Sequence, residues 1–90
     1  MKLMVVTVNF NGTPDTIDFL ASIKNQTDQN VEVVVVDNAS HQEHRANLKR
    51  YIDDNFSAVF WRPSEQNLGF SGGNNLGIRE ALKNGADWIL

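Results

Sequence analysis

Two polar side chains, Asp37 and Asn38, follow the most strongly apolar run of this 90-residue sequence, Val31 to Val36. A carboxylate accepts hydrogen bonds from an imide N–H or from ribose hydroxyls, and an amide both donates and accepts them. Thr7 and Asn9 stand in the same way at the end of an earlier β-branched run. If the two runs are neighbouring parallel strands, the four side chains should converge on one groove that suits a nucleobase and its ribose.

A second group with chemical potential is the glycine and asparagine cluster from Asn67 to Asn75. Glycines let a ligand approach the backbone, and the N–H groups of a starting helix attract an anion such as a diphosphate. The candidate ligand-binding residues of this cluster are Asn67, Gly69, Gly72, Gly73 and Asn74. Plainer interpretations are a flexible helix entrance for this cluster and a simple strand-to-helix turn for Asp37 to Ser40.

The sequence disfavours three other classes of protein that bind or accept phosphate groups: dinucleotide-binding domains, phosphate-loop nucleotide triphosphatases and phosphoacceptor domains. A dinucleotide fingerprint needs several glycines after the first strand, where only Gly12 stands, and the sequence has no Gly-Lys-Ser or Gly-Lys-Thr for a phosphate loop. A phosphoacceptor domain that used Asp37 would need an acidic pair after the first strand, but Asn9 and Asn11 occupy that stretch. The nucleotide groove therefore remains the leading interpretation.

Four short apolar runs must position these side chains, and we predict each as a β-strand. They are Leu3 to Val8, Val31 to Val36, Ala58 to Trp61, and Asp87 to Leu90. The first two lack polar alternation, which is typical of central strands covered on both faces. With helices between the strands, the order is βαβαβαβ and predicts one α/β domain over residues 1–90 with a parallel, doubly wound sheet.

The predicted helices begin and end at recognisable signals. Thr13 and Pro14 start the first, Ser40 and Glu43 have the capping-box spacing for the second, and Gly85 can end the third. A loop from Pro63 to Gly73 should feed the third helix. The expected inward-facing residues are Ile17, Leu20 and Ile23, then Leu48, Tyr51 and Ile52, then Ile78, Ala81 and Leu82, with Trp61 and Trp88 also in the core.

Composition narrows the function classes. The net charge of -3 and the scatter of the 8 Lys and Arg residues argue against nucleic-acid binding. There is no cysteine, and His41 and His44 lie one helical turn apart without an apparent third ligand, so no metal site is predicted in the chain. No run is long enough for a membrane span or a signal peptide, so a cytoplasmic location is expected.

Three motifs, Val6 to Gly12, Val34 to Ser40 and Asn67 to Asn74, follow one another in a specific order and spacing that spans most of the chain. They resemble the amino-terminal, nucleotide-binding part of a family 2 glycosyltransferase with the GT-A fold. The sequence Phe-Ser-Gly-Gly-Asn-Asn is similar to the branch that includes rhamnosyltransferases. The resemblance implies a uridine or thymidine diphospho-sugar as donor and a saccharide or lipid-linked acceptor, in polysaccharide biosynthesis.

The resemblance also implies a role for each matching residue. It places Thr7 and Asn9 in the nucleotide pocket, Asp37 on the pyrimidine N3–H, Asn38 beside it, and Asn67, Gly69 and Asn74 along the donor wall. The Mg²⁺ or Mn²⁺ of the family would be held by aspartates that follow the fourth strand, beyond Leu90, and the general base would lie later still. No catalytic residue is therefore predicted within the chain.

From this resemblance we expect the chain to be the donor-binding, amino-terminal half of a hexosyltransferase that inverts the anomeric centre. By itself it should bind nucleotide weakly and be inactive, and the full-length enzyme could work in the cytoplasm or at the inner membrane surface. The alternative is a noncatalytic α/β module that forms a homo-oligomer through its uncovered last strand.

Overall fold

The chain folds into a parallel sheet with helices on both faces. The structure, a computed structural model, describes residues 2–26 and 31–90. Its elements are β1 (Leu3–Asn9), α1 (Thr13–Gln26), β2 (Val31–Asn38), α2 (Gln42–Asn55), β3 (Val59–Ser64), α3 (Gly69–Lys83) and β4 (Trp88–Ile89). The strands lie in the order β3-β2-β1-β4, and every pair is parallel. This confirms the predicted α/β, doubly wound architecture.

Alternate side chains of the central strands enter two separate cores. One core lies between the sheet and the layer of α1 and α2, and its buried residues are Leu20, Val33, Val35, Leu48 and Ile52. The other lies beneath α3, and its buried residues are Met4, Val34, Val36 and Ala81. Because the side-chain period of a strand is two residues, odd-numbered residues of β2 face α1 and α2, and even-numbered residues face α3.

The buried face of α3 is made of small residues, and it differs from the predicted face. Gly73, Gly77 and Ala81 follow one another at four-residue spacing and are all buried. A Cβ at Gly77 would overlap Val6 Cγ1 and lie 3.1 Å from Val36 Cγ2, so the helix axis sits close to the sheet. The expectation that Ile78 and Leu82 point inward is wrong. The face of α3 that contacts the sheet is the one with Gly73, Gly77 and Ala81, so Ile78 and Leu82 lie beside that face and are exposed.

Two predicted boundaries are also corrected. The second helix begins at Gln42, and its N-cap residue His41 makes no side-chain cap, so the capping box of Ser40 and Glu43 does not form. The loop predicted from Pro63 to Gly73 is shorter, because β3 runs on to Ser64 and α3 already begins at Gly69. The predicted left-handed cap at Gly85 is confirmed by its φ of 85°.

The strand at the edge of the sheet, β4, leaves apolar side chains in solvent. Trp88 is 60% exposed, so its predicted place in the core is wrong, whereas Trp61 packs partly buried against the core under α1 and α2. Leu90 is also exposed. None of the helices in the described part of the chain combines the length and the apolar character that crossing a membrane requires.

The turn after β2 carries a strained residue. Ala39 has a φ of 59°, in the left-handed region that costs an ordinary L-residue energy and that glycine adopts freely. We expect Ala39→Gly to raise the free energy of unfolding by about 0.5–1 kcal/mol in urea denaturation. Ala46→Gly, on the exposed side of α2, is the matched control and should lower it by about 1 kcal/mol through lost helix propensity. Equal changes in the free energy of unfolding for the two variants would contradict backbone strain at Ala39.

Candidate functional site

A cleft of about 470 Å³ opens at the carboxyl ends of β1 and β2, between the start of α1 and the start of α3. Its lining residues are Val8, Asn9, Phe10, Gly12, Asp15, Thr16, Asn38, Asn67, Gly69 and Phe70. The chain leaves β1 toward one face of the sheet, while α3 covers the other. The cleft therefore lies where doubly wound sheets usually bind their ligands, outside the carboxyl ends of the strands.

One wall of the cleft is the turn from Asn67 to Gly69, and the side chain of Asn38 holds it. Asn38 Oδ1 accepts the backbone N–H of Leu68 at 2.8 Å. Asn38 Nδ2 donates to the carbonyl of Gly69 at 3.0 Å and to Asn67 Oδ1 at 3.2 Å. As an even-numbered residue of β2, Asn38 reaches toward α3, which is why it meets this turn.

The glycines predicted for ligand binding have different structural settings. Gly69 has a φ of 73°, and a Cβ there would meet no atom within 4 Å, so its backbone conformation is what requires glycine. Gly73 lies inside α3, where a Cβ would be 3.0 Å from Val8 Cγ1 and 3.3 Å from Asn38 Nδ2. A Cβ at Gly72 would be 2.7 Å from Leu68 Cβ. Tight packing therefore explains why Gly72 and Gly73 are glycines, without requiring a role in ligand binding.

A buried polar network on the α1 and α2 face of the sheet adjoins the cleft and shares Asn9 and Thr16 with it. Asn9 Nδ2 donates to Asp37 Oδ1 at 3.0 Å, and Asn9 Oδ1 accepts the Thr16 hydroxyl at 2.8 Å. The backbone N–H of Ser40 donates to Asp37 Oδ2 at 3.2 Å. Asn9 and Asp37 are almost completely buried, so their polar atoms are satisfied by protein groups and not by solvent.

Arg45, on α2, completes this network. Its Nε donates to Asp37 Oδ2 at 2.8 Å, and its two terminal nitrogens reach the Ser64 carbonyl at 2.7 Å and Glu65 Oε1 at 3.1 Å. The hydrogen bond to Asp37, more than the one to Glu65, raises the pKa of Arg45 above its usual value. The buried carboxylate of Asp37 is thus paired with a positively charged guanidinium, as buried carboxylates in proteins usually are.

The structure therefore divides the residues predicted to share one groove. Asn38, Asn67 and Gly69 line the cleft together, and Asn9 lies at its floor. Asp37 turns into the network, and Thr7 lies opposite Val35 on that same face of the sheet. Asn74 uses its Nδ2 within α3, on the carbonyl of Phe70 at 3.0 Å. Contact with a nucleotide stays a prediction for every residue of the predicted set: Thr7, Asn9, Asp37, Asn38, Asn67, Gly69, Gly72, Gly73 and Asn74.

Three residues important to this site were not singled out from the sequence. Phe10 and Phe70 flank the cleft, and 52% and 81% of their surfaces are exposed. An aromatic residue directly after a buried strand, and another at a helix start, are signals that could have identified them. Arg45 gave no such signal, because nothing in its sequence neighbourhood indicates that it pairs with a carboxylate on β2.

The cleft can bind a flat ring and polar groups, but it offers little positive charge. Asp15 is the titratable residue among those that line it, and it is negative. In the described ranges, 2–26 and 31–90, no three His, Cys, Asp or Glu side chains are grouped so that they could hold a metal ion. The residues present thus do not fit the divalent cation that the resemblance implies. A diphosphate would rely on backbone N–H groups at the start of α3, whose N-cap Leu68 supplies no side-chain cap.

Comparison with known proteins gives one match. The family model described as Glycosyl transferase family 2 matches residues 4–90. No curated protein and no solved structure matches the chain. The matched range includes every described helix and strand in full, apart from Leu3, the first residue of β1.

Proposed function

Because the chain belongs to glycosyl transferase family 2, we propose that its cleft binds the nucleoside diphosphate part of a nucleotide-sugar donor. The observation that carries this proposal is the meeting of Phe10, Asn38 and the Asn67 to Gly69 turn in one cleft at the carboxyl edge of a parallel sheet. In doubly wound sheets, such an edge is where ligands bind. The family match favours this transferase function over a noncatalytic self-associating module.

Within the cleft we assign the base to the aromatic side chains and the diphosphate to backbone groups at the start of α3. The exposed rings of Phe10 and Phe70 offer faces on which a pyrimidine can stack. The N–H groups of the first turn of α3 favour the negatively charged diphosphate. A uridine or thymidine diphospho-sugar is the donor class that we propose.

The reaction we propose for the full enzyme is transfer of a hexose, rhamnose among the candidates, to a saccharide or lipid-linked acceptor with inversion. In this scheme the 90 residues are the donor-binding half of the transferase domain. A divalent cation, which family members generally use, would supply charge neutralisation for the departing diphosphate. No described residue group fits that cation, so the role of this chain is to bind and orient the donor.

The proposal is tested by titrating the ¹⁵N-labelled chain with uridine diphosphate and with thymidine diphosphate. We expect weak, saturable binding, with the largest amide shifts at Phe10, Asn38 and Gly69. Adenosine diphosphate is the control for the base, because a purine differs in both size and hydrogen-bonding edge. Pyrophosphate is the control for the diphosphate. Absence of saturable shifts with both pyrimidine nucleotides would contradict the function.

Replacing the aromatic ring at the cleft tests the stacking assignment. Phe10→Ala should raise the Kd for uridine diphosphate by about tenfold, since base–aromatic stacking contributes roughly 1–3 kcal/mol per base. Phe19→Ala is the matched control, because Phe19 is 42% exposed but lies on α1 away from the cleft. Isothermal titration calorimetry measures both. Equal Kd values for the two variants would place the base elsewhere.

A further inference from the structure

The guanidinium of Arg45 connects three elements at once. Arg45 belongs to α2, Asp37 is near the end of β2, and Ser64 ends β3. The three-donor contact described above therefore fixes the ends of two strands to one helix. Lysine could not make the same connection, because its single ammonium group lacks the rigid fork of donors that arginine presents.

The segment from Ser64 to Gly69, which we call the wall segment, is held at both ends from β2. At its beginning, Arg45 binds the Ser64 carbonyl and is itself held by Asp37. At its end, Asn38 binds Leu68 and Gly69 directly. Two consecutive residues of β2 thus anchor the wall segment from opposite faces of the sheet.

We propose that Arg45 is a positioning residue for donor binding: it transmits the fixed position of the Asp37 carboxylate to the wall segment and so sets the width of the cleft. This inference rests on the proposed function of the cleft. Arg45 does not line the cleft, so its effect on binding passes through Ser64. In this scheme Asp37 also supports the donor site indirectly, through Arg45.

The contact with the Ser64 carbonyl is the part of this arrangement that carries the proposal. Its donor is charged and its length is 2.7 Å, which is typical of a strong, charge-assisted hydrogen bond. The contact with Glu65 adds little, because the Glu65 side chain is 87% exposed and solvent screens such pairs. The Asp37 pair orients the guanidinium, and the Ser64 bond transfers that orientation to the wall segment.

Arg45→Lys separates positioning from charge, because it keeps a positive group beside Asp37 but loses the simultaneous bond to Ser64. We expect it to raise the Kd for uridine diphosphate by about tenfold, the effect of losing one charge-assisted hydrogen bond that orders a binding segment. Amide hydrogen exchange should become faster at Leu68 and Gly69. Arg50→Lys, at an exposed position of the same helix, should change neither measurement.

The outcomes distinguish this inference from the proposed function. If the unsubstituted chain binds neither uridine nor thymidine diphosphate, the proposed function fails. If it binds, and folded Arg45→Lys binds with unchanged Kd or exchanges Leu68 and Gly69 no faster, the positioning role is overturned. Should Arg45→Lys not fold, the double variant Asp37→Asn with Arg45→Gln removes both charges together. The positioning role predicts the same roughly tenfold loss for that variant, and an unchanged Kd overturns it.

Discussion

Gly77→Val should lower the free energy of unfolding by about 3 kcal/mol, the upper end of the usual cost of overpacking, because the added methyl groups force backbone shifts in a dense core. Even a single Cβ at this position overlaps Val6 and approaches Val36, and valine adds two more methyl groups. Both obstructing residues are β-branched side chains on central strands, which have little rotamer freedom to withdraw. Since single domains are stable by only about 5–15 kcal/mol, a large share of the stability would be lost.

Urea denaturation of three variants checks this prediction. Gly77→Ala should cost less than Gly77→Val, because it adds one methyl group and gains roughly 1 kcal/mol of helix propensity. Asn75→Val, at an exposed position of the same helix, is the control for the propensity of valine. If Gly77→Val and Asn75→Val unfolded at the same urea concentration, the close approach of α3 to the sheet would be contradicted.

Asp37→Ala should be the second severe substitution, with a loss of about 2–4 kcal/mol, because a buried donor left without its acceptor costs about 1–3 kcal/mol. The substitution removes the acceptor for Asn9 Nδ2, the Ser40 N–H and Arg45 Nε together. Asn9 and Ser40 are buried, so water cannot easily replace the lost acceptor. The effect of this variant on nucleotide binding would therefore be inseparable from unfolding.

Thermal and urea unfolding, followed by circular dichroism, measure the predicted loss. Asp54→Ala is the control, because Asp54 is an exposed carboxylate on α2. A difference of less than about 1 kcal/mol between the two variants would show that the Asp37 network contributes no more than an exposed pair does.

The order of the elements was predictable because it depends on short-range signals. The β-branched runs of β1 and β2, and the glycine at Gly85, each identify their own local structure, and the parallel topology follows from their alternation with helices. Side-chain pairing between different elements gave no such signal. The partnership of Arg45 with Asp37 joins residues on a helix and a strand, and only the fold brings their atoms together.

The glycine cluster shows a different limit of prediction from sequence. Glycine is compatible with a ligand-binding loop and with tight helix packing, and the residue type alone does not decide between them. The four-residue spacing of Gly73, Gly77 and Ala81 was the relevant signal, because that spacing places all three on one face of a helix. Gly69, with its left-handed backbone, is the glycine of this cluster that lines the cleft.

The opposite orientations of Asp37 and Asn38 also bear on how this protein can evolve. The polar atoms that stabilise the fold are buried on the α1 and α2 face of the sheet, and under the proposed function the ligand preference depends on side chains that line the cleft. Phe10, Asn67 and Phe70 can therefore vary among descendants without breaking the buried pairs that keep the chain folded. Selection for a new sugar nucleotide would act on those three positions, and libraries randomised there should retain a high fraction of folded members.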